Sequence, residues 1–163
     1  EYYLPLYREA SRYNHLVENQ IVHGSPEFLQ PKVLHEKAWE VVEPLFLESK
    51  ELSLERFEYL RGNGNGLASD DIHEIVPAAV FGRIDTLFVQ LESHQWGRYD
   101  REANEIEIHD DYAPGDEDLL DVAAIHTLTN GGAVYTLHYE DMPGEADLAA
   151  TFRFAADLAA QEH

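Results

Sequence analysis

Apolar residues recur at intervals of three and four after Pro31, which is the spacing of one helix face. They are Leu34, Ala38, Val41, Val42, Leu45 and Phe46, continued by Leu54, Phe57 and Leu60. This spacing predicts a long amphipathic helix that ends at Gly62. Because Pro44 cannot donate a hydrogen bond to the carbonyl of Glu40, we expect a kink there or two helices in series. Residues 2–13 predict a short helix before it.

A second helical pattern leads directly into a short apolar run. Ser69 supplies a capping hydroxyl, apolar positions recur over residues 72–80, and Gly82 ends the helix. Residues 84–91 then have the length of a strand and no polar face. A strand of this kind is covered by helices on both sides, so we expect it to be the first strand of the fold and its centre.

The second half of the chain alternates strand and helix signals. Residues 96–100 and 105–109 alternate apolar and polar side chains, which predicts a hairpin with one wet face. Gly115 and Asp116 are expected to begin a helix that ends at Asn130. Its inward residues are predicted to be Leu119, Leu120, Val122, Ala123, Ile125 and Leu128. Residues 133–137 and 149–154 predict two more buried strands, and this element order is typical of a layered α/β sandwich.

The glycine-rich segment 62–66 separates two parts of different charge. Residues 1–66 carry 11 acidic and 7 basic residues, whereas residues 67–163 carry 21 and 4. The segment lacks the preceding strand and the following lysine of a phosphate-binding loop, so it is interpreted as a linker. We therefore predict a helical lead-in lobe over residues 1–66 and an α/β sandwich over 67–163, with a hairpin inserted at 92–115.

Composition narrows the function classes. With 32 acidic and 11 basic residues, the net charge of −21 disfavours direct nucleic-acid binding, which depends on Lys and Arg. The acidity indicates solubility, adaptation to a salty cytoplasm or an acidic docking face. The chain has no cysteine for disulfides and no apolar run of membrane-spanning length, so we expect a cytoplasmic location. The start at Glu1 suggests a fragment of a longer protein.

Three groups of residues invite a chemical interpretation. A zinc or manganese site is conceivable from the set His109, Asp110, Asp111, Asp116 and His126, although helix capping also explains the acids. A nucleophile triad is conceivable from Ser69, Asp70 and His73, whose spacing is that of a cap and two exposed helix positions. An aromatic binding surface is conceivable from Tyr2, Tyr3, Tyr7, Tyr13, Trp39 and Phe46, for which packing between helices and sheet is the favoured interpretation.

Three segments carry a family resemblance. Residues 79–89, 130–137 and 143–154 resemble the third domain of archaeal and eukaryotic peptide-chain release factors and of Pelota-type ribosome-rescue factors. The matched positions are Gly82, Asp85, Thr86, Gly131, Gly132 and Arg153. With the lead-in around Leu4 to Glu9, the chain resembles the C-terminal part of bacterial homologues of these factors. The resemblance implies a helical lobe followed by an α/β/α sandwich with a mixed sheet, as in the kink-turn-binding ribosomal proteins.

The resemblance also implies a function. Such domains dock protein partners, so we expect a non-catalytic interaction module in ribosome-associated translation control or rescue. Its partner would be a ribosome-associated protein or a translational GTPase, and no cofactor, catalytic residue or metal ligand is assigned. Two alternatives stay open: a metal-dependent hydrolase centred on His109, Asp111 and His126, and a self-associating structural module of unknown oligomeric state. Asp85 is expected to satisfy nearby backbone at the start of its strand.

Overall fold

The chain divides into two compact units within its long helix. The computed structural model describes residues 3–13, 16–17, 21–22, 29–144 and 146–156. The units are Glu1–Glu48 and Ser49–His163, whereas composition placed a boundary between residues 66 and 67. The helices are α1 (Tyr3–Ala10), α2 (Pro31–Gly62), α3 (Ile72–Val80) and α4 (Leu119–Thr129), with a short 3-10 helix at Tyr139–Asp141. The strands are β1 (Ala68–Ser69), β2 (Ile84–Gln90), β3 (Trp96–Asp100), β4 (Glu105–His109), β5 (Glu117–Asp118), β6 (Ala133–Leu137) and β7 (Leu148–Phe152).

The helix α2 is continuous through Pro44. The alternative of two helices in series is therefore wrong. Strong helix formers such as Glu, Leu and Lys lie on both sides of the proline, and they sustain the helix although one hydrogen bond is lost. Among the residues that the structure describes, no helix combines the length and the apolar composition that crossing a membrane requires.

A four-stranded mixed sheet forms the centre of the second unit. Its order is β1-β7-β2-β6, with β2 parallel to β6 and antiparallel to β7. β2 is thus an interior strand, as the apolar run predicted. β7 is also buried along its whole length. β6 lies at an edge and only Leu137 of it is buried, so the prediction of a buried strand over residues 133–137 is wrong.

Helices cover both faces of this sheet. On one face, residues of α3 and α4 such as Ile75 and Leu120 share a core with Leu87 of β2. On the other face, Phe57 of α2 packs edge-on against Phe88 of β2, with ring centroids 6.0 Å apart. The predicted α/β/α sandwich with a mixed sheet is therefore confirmed.

A second, three-stranded sheet is built on the predicted hairpin. Its order is β4-β3-β5, and the hairpin pairing of β3 with β4 is confirmed. Ile106 and Ile108 of β4 pack against the core, while the alternate residues stay on the wet face. Gly97 of β3 is buried, and a side chain there would collide with the Glu107 carbonyl.

Both predicted helix starts are displaced along the chain. Ser69 belongs to β1, and Asp71 caps α3 by accepting a hydrogen bond from the His73 amide. Asp118 caps α4 by accepting from the Leu120 amide, so Asp116 does not begin that helix. In each case the aspartate just before the first turn accepts a hydrogen bond from a backbone amide that has no partner within the helix. This contact sets where the helix begins.

The predicted burial of two residues of α4 is also wrong. Ile125 and Leu128 are 62% and 60% exposed rather than inward. The predicted inward residues Leu119, Leu120 and Ala123 are buried, and Thr127, which was not predicted, is buried with them. The helix is apolar on nearly all sides, so its apolar positions alone do not identify the buried face.

Two neighbouring glycines, both at positions that match the family, should respond differently to substitution by alanine. A Cβ at Gly132 would lie 2.6 Å from Thr127 Cγ2 and 3.0 Å from the Ile84 carbonyl oxygen. We expect Gly132→Ala to lower the free energy of unfolding by about 1–3 kcal/mol through overpacking. Gly131 has a φ of +74° and open space around it, so Gly131→Ala should cost about 1 kcal/mol through backbone strain alone.

Urea denaturation measures both changes. Gly62→Ala is the control. Gly62 is the last residue of α2, and nothing lies within 4 Å of an added Cβ, so this change should not destabilise the chain and should raise the free energy of unfolding by at most about 1 kcal/mol. Wild-type stability for Gly132→Ala would contradict the close approach of β2 to the end of α4.

Candidate functional site

The wet face of the three-stranded sheet brings together two of the predicted metal ligands. His109 Nδ1 lies 2.8 Å from Asp116 Oδ2, and the Ala113 amide donates to the same oxygen at 2.8 Å. Arg98 Nε lies 3.0 Å from Asp116 Oδ1. Because the Asp116 side chain is completely buried, these contacts hold the loop before β5 against the hairpin.

The electrostatics of this pair favour an imidazolium and a carboxylate. The hydrogen bond to Asp116, followed by the one to Glu107, raises the pKa of His109 above its ordinary value. Burial acts to raise the pKa of Asp116, but hydrogen bonds from His109 and the Ala113 amide outweigh it and lower that pKa. His109 Nε2 also lies 3.3 Å from Glu107 Oε1. With both ring nitrogens occupied, His109 offers no lone pair to a metal.

The other proposed ligands do not complete a metal centre. Within the described residues, no three His, Asp or Glu side chains are grouped so that they could hold a metal ion. Asp110 and Asp111 are exposed, and His126 lies on α4. The convergence that a hydrolase centred on His109, Asp111 and His126 requires is therefore missing.

The Ser69, Asp70 and His73 set forms caps and an ion pair instead of a relay. Ser69 Oγ accepts a hydrogen bond from the Asp71 amide at 3.2 Å. Asp70 Oδ2 lies 2.6 Å from Arg61 Nη2 of α2. The spacing of these residues therefore reflects the turn from β1 into α3.

The matched residues Gly82 and Arg153 meet where α3 and α4 end. The Arg153 guanidinium donates to the Gly82 carbonyl at 3.2 Å and to the Asn130 carbonyl at 2.9 Å. The Asn130 side-chain amide donates to the Ala79 carbonyl at 3.0 Å. Gly82, with a φ of +71°, brings its backbone against Asn130. We call Gly82, Asn130 and Arg153 the helix-end cluster; it satisfies carbonyls that helix ends leave free. Sequence analysis missed the role of Asn130.

The other matched positions are parts of the scaffold. Asp85 Oδ2 lies 2.7 Å from Arg56 Nη1 of α2, so the expectation that it satisfies backbone is wrong. The carboxylate instead ties β2 to the helix that covers it. Thr86 is buried in β2, and Gly132 approaches the Ile84 carbonyl at the start of that strand.

An open groove along α3 is the candidate docking surface of the second unit. Its volume is about 450 Å³, and Pro77, Ala78, Phe81 and Phe154 supply its apolar lining. Phe81 and Phe154 are 58% and 41% exposed. Glu74 and Arg83 add an ion pair of 3.0 Å to the lining. We call this surface the α3 groove. The sequence signal for it is a phenylalanine close behind each of two elements: Phe81 directly follows α3, and Phe154 lies two residues after the end of β7.

The aromatic residues of the first unit are not packed as the sequence suggested. Tyr2 lies outside the described residues, while the exposed aromatic side chains include Tyr3, Tyr7, Tyr13, Trp39 and Phe46. Trp39 stacks on Phe46 within α2, with ring centroids 6.0 Å apart. These five described residues therefore contribute exposed aromatic surface.

A comparison with protein families finds one match. The family model described as bacterial archaeo-eukaryotic release factor family 3 matches residues 1–83, which is half of the chain. No curated protein matches.

Three solved structures resemble this chain to different degrees, and the first of them has a similar fold. The C-terminal domain of a peptide chain release factor from Methanosarcina mazei has a TM-score of 0.55 and 11% identity, with 80% of this chain and 99% of that chain covered. A model of ribosome-bound archaeal Pelota and ABCE1 has a TM-score of 0.44 and 20% identity, covering 83% of this chain and 36% of that one. Dom34 from S. cerevisiae, a translation termination-like factor that interacts with Hbs1, has a TM-score of 0.41 and 17% identity, with 77% of this chain and 31% of that chain covered.

The His109–Asp116 pair predicts a pH-dependent stability. Because the pKa of His109 is raised on folding, its contribution is complete below pH of about 6.5 and is lost as pH rises through the folded pKa. Unfolding free energies of wild type and His109→Gln, measured from pH 5 to 9, should differ most at the acidic end and converge at the basic end. A constant difference across that range would contradict the ion pair.

The helix-end cluster predicts a stabilising role for Arg153. Loss of its two hydrogen bonds in Arg153→Ala should lower the unfolding free energy by about 1–2 kcal/mol, a value reduced by solvent exposure. Arg101→Ala is the control, since that guanidinium lies 5.5 Å from the Phe81 ring centroid and contributes less than about 1 kcal/mol. Thermal unfolding of Arg153→Ala and Arg101→Ala measures the difference. Equal stability of the two variants would contradict a stabilising role of the helix-end cluster.

Proposed function

Because this chain belongs to bacterial archaeo-eukaryotic release factor family 3, we propose that it acts in ribosome-associated translation control or rescue. Its role there is that of a non-catalytic module that docks a protein partner in the cytoplasm. The observation that carries this proposal is the family match over residues 1–83. The α/β fold of residues 49–156, similar to a release-factor C-terminal domain, supports it.

Two observations favour docking over catalysis. The sequence contains no Gly-Gly-Gln peptide-release motif, and the described residues near His109 are engaged in holding a loop. The ionisable contacts in the second unit are caps, helix-end contacts and ion pairs between elements. These are the contacts of a scaffold, and partner recognition then falls to its surface.

The α3 groove is the surface we assign to the partner. Exposed aromatic side chains are enriched where proteins bind each other, and Phe81 and Phe154 are such residues. The net charge of −21 disfavours ribosomal RNA as the direct ligand. A translational GTPase is the partner class that the family resemblance implies.

Binding of the chain to purified components tests this proposal. We expect the chain to cosediment with purified bacterial ribosomes in the presence of a translational GTPase and a non-hydrolysable GTP analogue. Phe81→Asp should weaken the association at least about tenfold, because a charge would replace an aromatic contact at the interface. Ile125→Asp, at a position of similar exposure on α4, is the matched control.

Two outcomes would contradict the proposal. One is the absence of cosedimentation with every translational GTPase tested, in both nucleotide states. The other is equal loss of binding in Phe81→Asp and Ile125→Asp while both variants keep the wild-type circular dichroism spectrum. The first outcome opposes the translation role, and the second opposes only the α3 groove.

A further inference from the structure

Three Asn-Gly dipeptides occur in the sequence, at residues 63–64, 65–66 and 130–131. An asparagine followed by glycine is the pair most prone to spontaneous deamidation. Glycine has no side chain to hinder its own backbone nitrogen when that nitrogen attacks the asparagine side chain. Because the three dipeptides are identical, the hydrogen bonds of the folded chain decide which of them reacts fastest.

Hydrogen bonds oppose the reaction at two of the three dipeptides. The Gly64 amide donates to the Arg61 carbonyl at 3.2 Å. The Gly131 amide donates to the Leu128 carbonyl at 3.0 Å. Each amide must lose this bond before its nitrogen can attack. The Asn130 side chain is itself held, because its amide group donates within the helix-end cluster.

The hydrogen bonds around Asn65 favour the same reaction. Among the described residues, none accepts a hydrogen bond from the Gly66 amide. The Leu67 amide donates to Asn65 Oδ1 at 3.1 Å. Negative charge develops on this oxygen when a nucleophile adds to Cγ, so a donor that is already in place there lowers the barrier. Both residues of the dipeptide are exposed, so solvent base and water reach them.

We propose that Asn65 is a site of spontaneous deamidation, with water as the co-reactant. Solvent base removes the proton of the Gly66 amide, and the nitrogen forms a bond to Cγ of Asn65. The bond between Cγ and Nδ2 then breaks. The released nitrogen takes up a proton from solvent and leaves as ammonia. The remaining product is a cyclic imide that joins Asn65 to Gly66.

Water opens the imide at either of its two carbonyl carbons. Cleavage between Cγ and the nitrogen restores the original main chain and leaves aspartate at position 65. Cleavage between the main-chain carbonyl carbon and the nitrogen leaves isoaspartate, whose main chain runs through Cγ and is longer by one methylene group. Either product adds a negative charge to the loop between α2 and β1. Isoaspartate also lengthens the connection from the α2 layer to this edge strand.

Mass spectrometry of the whole chain after ageing tests the proposal. The folded chain is incubated at physiological temperature in neutral and in mildly alkaline buffer, and is then digested with trypsin. An unaged sample, digested in parallel, corrects for reaction during digestion. The tryptic peptide of residues 62–83 contains the first two dipeptides, and that of residues 102–153 contains the third. Fragmentation by electron transfer locates the product and distinguishes isoaspartate from aspartate.

The rates at the three asparagines should differ in the folded chain. We expect Asn65 to react at least about fivefold faster than Asn63 or Asn130, the rate equivalent of one net hydrogen bond. The rate should rise with pH, because the deprotonated amide is the nucleophile. In concentrated guanidinium chloride the hydrogen bonds that distinguish the sites are lost, so the three rates should become similar.

Two matched variants connect the product to one residue. Asn65→Gln should remove most of the deamidated product from the peptide of residues 62–83, because glutamine forms the corresponding imide much more slowly. Asn63→Gln is the control and should leave that product in place. Both positions are exposed, so neither change removes a buried contact. Absence of product at Asn65, or a rate at Asn63 or Asn130 equal to that at Asn65 in the folded chain, would overturn the proposal.

Discussion

The burial of β2 on both faces is the constraint on which the second unit depends. Leu87 and Phe88 are completely buried and face opposite layers, the first toward α3 and α4 and the second toward Phe57 of α2. A strand of this kind is stable only between two helical layers. The C-terminal part of α2 is therefore a structural layer of the sandwich, and the Arg56–Asp85 ion pair adds a polar contact at the same junction.

The same constraint explains where the polar residues lie. With the sheet covered on both faces, side-chain chemistry is left to its rims and to the hairpin. The helix-end cluster lies at the rim where β2 begins. At this rim the Arg153 and Asn130 side chains donate to backbone carbonyls, while Nε of Arg83 beside them is buried without a hydrogen-bond partner among the described residues. We therefore assign partner binding to the surface of the second unit and stability to its interior.

Local sequence patterns predicted the helices and strands well, but they predicted the contacts between these elements poorly. The apolar run at residues 84–91 was sufficient to predict β2, and the alternation of apolar and polar residues was sufficient to predict the hairpin. Each pattern depends only on residues that are neighbours in sequence. The position of β6 at the sheet edge depends on strand order, which residues 133–137 do not encode. Asp116 resembled a helix-starting acid, but His109 and Arg98 bind it from the adjacent hairpin. The α3 groove combines residues from α3 and from the segment after β7, so no single stretch of sequence indicated it.

We propose that this chain recognises protein at the ribosome through the surface of its α/β unit. A cryo-electron microscopy reconstruction of ribosomes bound to the chain and a translational GTPase tests it most directly. We expect density for residues 49–156 with the α3 groove against protein, and no phosphate backbone against the hairpin of β3 and β4. Density that places this unit chiefly on ribosomal RNA, or the α3 groove facing solvent in the bound state, would contradict it.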